Sequence, residues 1–196
     1  MSWTRSLPER LPEPESATDG ELSRLFEAIR ARSSRGRVSN LWRACAVDLG
    51  GAGALFRHYE VLMSDPNPLS ATQAEMIALV VSATNGCGYC VAHHGPRLAK
   101  ACGDEPLARA VALDYREANL AARDRVLLDA AVALTCEPAE RKREDIERLR
   151  EYGFDDPAIV RATEVAAFYN LVNRMVCALG IESEEGLENW AFGAQR

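Results

Sequence analysis

The sequence predicts an all-α fold, and three observations carry that prediction. Apolar residues recur at three- and four-residue spacing along most of the chain. Helix boundaries are readable: Ser70-Ala71-Thr72-Gln73 matches a capping box, and Asp156-Pro157 and Gly180 bracket the last long segment. No segment shows the period-two alternation of β-branched residues that a half-buried strand requires.

The elements follow in order. Residues 1–19 hold Pro8, Pro12 and Pro14 among charges and read as a flexible N-terminal arm. Leu22, Leu25, Phe26 and Ile29 then give a first amphipathic helix. Residues 39–63 read as two helical pieces, interrupted by Gly50, Gly51 and Gly53, and residues 64–68 (SDPNP) are a break. From Ser70 a helix runs to about Thr84, where Asn85-Gly86 ends it, and a second helix opens at Cys87. Further helices are expected near 104–114, 121–135 and 140–152, the last carrying a charge run that reads as a solvated face. The final helix starts at Asp156-Pro157 and stops at Gly180. The expected organisation is one helical domain over 20–182 with a C-terminal tail over 183–196, long enough to form a core without disulfides.

Bulk properties exclude some functions. A net charge of −6 with a pI near 5.2 argues against nucleic acid or anionic membrane as the main partner, since a phosphate-binding surface needs excess Lys and Arg. The N-terminus lacks the apolar core of a signal peptide, and no apolar run is long enough to span a bilayer. The expected location is therefore cytoplasmic, where the six cysteines need not pair and a CxxC is catalytic or metal-binding sooner than structural. Cys45, Cys102, Cys136 and Cys177 sit alone in apolar or Ala-rich stretches and read as small core residues.

Chemistry concentrates in residues 75–94. Cys87 and Cys90 are three residues apart, and His94 follows the second thiol by four. On a helix beginning at Cys87 these three side chains share one face, while His93 turns about 100° away from His94. A free thiol near pKa 8.5 is only about 3% thiolate at pH 7, and a downward shift of about two units, roughly 2.7 kcal/mol, would make it mostly thiolate. A helix N-terminus acts in that direction on Cys87, and a base one turn along acts so on Cys90. Glu75 lies on the preceding helix among apolar neighbours and needs a partner there. The short Asn85-Gly86 turn folds the two helices back on each other, so Glu75 can orient His94 and His94 can take a thiol proton. The competing reading of Glu75 is an acid near the helix start that answers the dipole and reaches solvent.

The other candidates are weaker. Tyr89 reads as a packed aromatic, His93 as an edge residue, and Asn170 and Asn173 as buried helix–helix hydrogen bonds; Tyr169 is a possible pocket wall. Zinc is the main structural alternative, but Cys87, Cys90 and His94 supply three ligands where a structural zinc takes four.

On Glu75, the Cys87-Gly88-Tyr89-Cys90 motif, His94 with His93 beside it, and the flanking stretches VSNLWRA (38–44) and FYNLVNRMVCALGIE (168–182), the chain resembles the alkylhydroperoxidase-D-like group of the carboxymuconolactone decarboxylase superfamily, in its peroxidase-related branch. The resemblance covers about residues 21–182. It implies a multi-helix bundle with the CxxC at the N-terminus of a helix in a helical hairpin. It also implies homo-oligomers and an antioxidant, thiol-dependent reduction of hydroperoxides, with no haem, flavin or other cofactor. The implied catalytic residues are Cys87, Cys90, His94 and Glu75, and the implied reductant is a lipoyl or thioredoxin-like dithiol protein. In the family the second cysteine, here Cys90, attacks and the first resolves, whereas the helix dipole favours Cys87, so the division of labour stays open. A disulfide carrier and a non-enzymatic scaffold with a zinc-bound or vestigial dithiol use the same residues. One departure from the family pattern is Gly95-Pro96 directly after His94, which is expected to kink or restart the helix.

Overall fold

Ten of the fourteen residues of one helix, Ala71–Thr84, are buried, including Met76, Ile77, Leu79, Val80 and Val81. A helix apolar on every side has no solvent face and has to sit inside the others. The computed structural model describes residues 20–33, 35–64 and 67–193 and is all-α: among these residues nine α-helices and one 3-10 turn occur, and no strand. They are α1 (Gly20–Arg32), α2 (Asn40–Cys45), α3 (Leu49–Met63), α4 (Ala71–Thr84), α5 (Gly88–Cys102), α6 (Glu105–Asp114), α7 (Ala122–Cys136), α8 (Arg143–Glu151) and α9 (Asp156–Leu179). The expected arm over 1–19 lies outside the described residues. No described helix is long and apolar enough to cross a membrane.

The chain divides into two compact units, with boundaries inside α3, inside α9 and after Gly186. The first comprises the described residues up to Val61 together with Met175–Gly186. Its core holds Trp42, Phe56 and Tyr59, whose rings meet at 5.3–6.0 Å between centroids, with Trp42 edge-on to both others. The Asn40 side chain donates to the Glu182 carbonyl at 3.0 Å and ties the start of α2 to the segment after α9.

The second unit comprises Leu62–Arg174 and the described residues from Leu187 on. Here α4 packs against α5, α6 and α7, and α7 packs against α8. The capping box expected at Ser70 is present: Ser70 Oγ accepts from the Gln73 amide, and Gln73 Oε1 accepts from the Ser70 amide, both at 3.1 Å. Residues 187–193, within the expected tail over 183–196, lie against α5 and α6. Trp190 is buried, and the Gly193 amide donates to the Ala112 carbonyl at 3.1 Å.

Four local expectations change. The break within 39–63 falls at residues 46–48, and Gly50, Gly51 and Gly53 lie inside α3. Asp48 restarts the helix there, its carboxylate accepting from the Gly51 amide at 3.2 Å. The cap of α9 is Asp155, one residue early, its Oδ1 accepting from the Ala158 amide at 2.9 Å. Of the four lone cysteines only Cys45 is buried; Cys102 is half-buried and Cys136 and Cys177 are exposed. Apolar neighbours in sequence do not fix which face of a helix a residue takes, and Cys102 and Cys136 are the last residues of α5 and α7. Finally, α5 runs unbroken through Pro96. Pro96 forgoes the backbone bond to Ala92, but the clash of its ring with the preceding Cβ is absent, because that residue is Gly95.

Candidate active site

The site is built at the α4–α5 turn. Asn85 closes α4, and Gly86, at φ 70°, makes the left-handed step that reverses the chain. The Cys87 amide donates back to the Ser82 carbonyl at 2.9 Å, and α5 begins at Gly88 with Cys87 as its N-cap. Cys87 Sγ and Cys90 Sγ stand 2.8 Å apart, unbridged, with the two residues 1% and 3% exposed. The turn therefore places the sulfurs in contact one helical turn apart.

The second pair forms across the hairpin. His94 Nδ1 lies 2.7 Å from Glu75 Oε2, with both side chains nearly buried. Burial pushes the His94 pKa below its usual 6.5, partly offset by the neighbouring Glu75 carboxylate. The neutral ring then donates its Nδ1 proton to Glu75 and presents Nε2 as a base. The Tyr169 ring meets the imidazole edge-on at 4.5 Å and fixes its plane. Since Cys90 and His94 are four residues apart on one continuous helix, they share a face. His93 points elsewhere, its ring 4.6 Å from that of Tyr89.

All four residues singled out by spacing thus come together in two contacting pairs on one helical hairpin. Asn170 and Asn173 form the helix–helix hydrogen bonds expected of them, and these bonds hold the turn in front of Cys87. Asn85 Nδ2 donates to Asn170 Oδ1 and Asn173 Oδ1, both at 3.0 Å, and Asn173 Nδ2 donates to Ser82 Oγ at 3.0 Å. Among the described residues no cluster of three or more His, Cys, Asp or Glu is arranged to hold a metal ion.

Sequence reasoning missed the aromatic segment after α9. The Phe192 ring stands 3.5 Å from where a Cβ on Gly88 would be, between the two cysteines in sequence. Trp190 lies on Gly95, where any Cβ would collide with the indole, and the Arg109 guanidinium covers the indole at 4.3 Å. Gly88 and Gly95 are seven residues apart on one stripe of α5, so these two glycines form the groove in which the segment sits. The available signal was Gly95 itself, a glycine inside a helix with no turn to make.

Chemically, the site offers two sulfurs that can bond to each other and an acid–imidazole pair that can move a proton. Comparison with known proteins bears on the family and the fold. A model of the carboxymuconolactone decarboxylase family matches residues 52–113. A peroxidase-related protein from Silicibacter sp. TM1040, itself uncharacterized, is 33% identical, with 94% of each chain covered and a TM-score of 0.84. An uncharacterized peroxidase-related protein from Ralstonia eutropha JMP134, described as an alkylhydroperoxidase AhpD core, is 30% identical over 91% of this chain and 92% of its own, at a TM-score of 0.82. The debrominase Bmp8, in complex with 2,3,4-tribromopyrrole, shares the fold at a TM-score of 0.76 with 16% identity, covering 92% of this chain and 94% of its own. No match is found among curated proteins.

Proposed function

Because this chain belongs to the alkylhydroperoxidase-D-like part of the carboxymuconolactone decarboxylase superfamily, we propose that it reduces hydroperoxides with the Cys87–Cys90 dithiol, using His94 and Glu75 as the proton relay. The observation that carries this reading is the pairing itself: sulfur on sulfur at 2.8 Å and imidazole on carboxylate at 2.7 Å, joined through one helix.

The chemistry runs in three balanced steps. His94 Nε2 takes the proton of the Cys90 thiol, and the thiolate attacks the O–O bond of the hydroperoxide. The sulfur becomes a sulfenic acid, and the departing alkoxide takes the proton from His94 and leaves as alcohol. The Cys87 sulfur then attacks the sulfenic sulfur, forming the Cys87–Cys90 disulfide and releasing water. Two electrons and two protons from an external dithiol, of the lipoyl or thioredoxin-like class, restore the pair. Cys90 is assigned the attack because His94 lies one turn along from it. Glu75 holds the Nδ1 proton, fixes the tautomer and stabilises the imidazolium while it exists.

The burial of both sulfurs suits a small oxidant better than another protein's disulfide, which separates this reading from a disulfide carrier. Assembly of copies into a homo-oligomer belongs to the same proposal and is checked by light scattering.

The test is consumption of cumene, tert-butyl and hydrogen peroxide by the purified protein with a dithiol reductant. Protein that consumes none of the three sinks the reading. Alkylation rates of each thiol against pH, in the wild type and in His94→Ala and Glu75→Gln, examine the relay. Unchanged thiol titration in both variants would remove it.

A further inference from the structure

A second chemistry-bearing feature lies away from the dithiol, where α7, α8, α9 and the segment joining α7 to α8 line a partly open cavity of about 570 Å³. That volume falls in the range of small-molecule sites, roughly 300–1,000 Å³. Its wall on α9 is made of Ala162, Thr163 and Ala166, small side chains that leave the space unfilled. Leu134 of α7 and Ile146 of α8 line it and remain half-buried, although both belong to packed helices. The lining is otherwise cationic around the start of α8: Arg141 and Lys142 just before it and Arg143 and Arg148 on it stand against Asp129 and Asp145. This is a local positive excess on a chain whose net charge is −6.

The existing ion pairs at this cavity are loose. Arg141 reaches Asp145 at 3.6 Å and Arg148 reaches Asp129 at 3.9 Å, both longer than a hydrogen bond and partly exposed. Exposed pairs of this kind contribute little, about 0–1 kcal/mol, so a better-placed anion can displace them. Guanidinium groups bind carboxylates through two parallel N–H donors, which a loose pair does not use. An apolar chamber with a cationic entrance matches one ligand chemistry: a hydrocarbon chain ending in an anion.

We propose that this cavity is a binding site for a free single-chain amphiphile with an anionic head, of the medium-chain fatty-acid class. The chain lies against Leu134 and Ile146, and the head meets the guanidinium and ammonium groups of residues 141–148. The site needs neither Cys87 nor Cys90, so it stands or falls separately from the peroxidase reading.

Laurate titrated into the full chain by calorimetry tests it, with dodecanol and dodecyltrimethylammonium as probes of the same chain length. The expected result is one laurate per chain, bound at least about tenfold more tightly than either comparator. Lys142→Glu combined with Arg148→Glu is expected to weaken laurate by about tenfold or more, and Ala130→Phe, which fills the cavity, to abolish binding. Thermal melts establish that both variants are folded, and peroxide turnover is expected to be unchanged in both. Equal binding of laurate and dodecanol overturns the proposal, as does laurate binding unaffected by either variant in its folded form. Binding to phosphatidylglycerol vesicles without binding of monomeric laurate would assign a membrane surface instead. Laurate affinity that falls as protein concentration rises would assign the cavity to contact between copies of this chain. Either outcome overturns the free-ligand site.

Discussion

The α4–α5 and α7–α8 hairpins follow the same plan and are filled differently. Each joins two helices through a short connection, residues 85–87 in the first and residues 137–142 in the second, and each carries polar chemistry between its helices. In α4 ten residues are buried, whereas in α8 only Leu149 is. The filled hairpin holds two short contacts in fixed register, Cys87 to Cys90 and Glu75 to His94. The underfilled one leaves a chamber with a charged mouth. The difference shows what packing density does for function. Bond-making groups need neighbours that leave one geometry, and a binding chamber needs neighbours that are too small.

The comparison can be broken most sharply at the sulfurs. Cys90→Ser is expected to lower peroxide turnover by about three orders of magnitude or more, since it removes the nucleophile, while leaving laurate binding untouched. Steady-state peroxide consumption beside calorimetry reads both; a variant that keeps its turnover would move the chemistry elsewhere. The packing contrast comes next. Leu79→Ala, fully buried in α4, is expected to cost about 3–5 kcal/mol of unfolding free energy, and Ile146→Ala, beside the cavity, less than about 2 kcal/mol. Urea unfolding of the two variants gives the difference, and equal losses would mean that the second hairpin is as tightly filled as the first.

Smaller effects sharpen the picture of the filled hairpin. Asn173→Ala removes the donor to Ser82 and one acceptor of Asn85 and is expected to cost about 1–3 kcal/mol. It should also slow closure of the Cys87–Cys90 disulfide, which quenched-flow alkylation reads. The pH dependence is the gentlest test. Burial holds the His94 pKa below 6.5 in the folded chain, so below that pH the unfolded chain binds more protons. Stability therefore rises with pH between the folded-state pKa and 6.5 and is lost on acidification, with a slope of at most about 1.4 kcal/mol per pH unit from this group. Urea melts at several pH values, compared with His94→Asn, isolate the contribution; an identical slope in both proteins would assign it to other groups.

Much of the filled hairpin was legible in the chain. Ser70 and Gln73 announce the start of α4, and Asn85-Gly86 announces the turn, because caps and left-handed steps depend on a few adjacent residues. Cys87, Cys90 and His94 share a face by helical period alone. Glu75 could be matched with His94 because an acid among Met76, Ile77 and Leu79 favours a partner and the turn folds His94 back toward it; the contact at 2.7 Å decides against the competing reading, an acid reaching solvent. The reach of Asp48 toward Gly51 was less legible, since glycines look like helix breakers until a cap upstream restarts the helix. Cys136 and Cys177 were misread because their local composition says nothing about which face meets solvent.

What the sequence determined by itself, then, was local and periodic: the helices, the turn, the dithiol register and the burial of α4. Tertiary structure alone decided two things: that Trp190 and Phe192 fold back onto the Gly95 and Gly88 stripe, and that Ala162 and Ala166 leave a chamber opposite Leu134 and Ile146. The physical reason is distance along the chain. Caps and helical faces are set by residues within one or two turns, whereas a seat or a void depends on the sizes of side chains that meet only after folding.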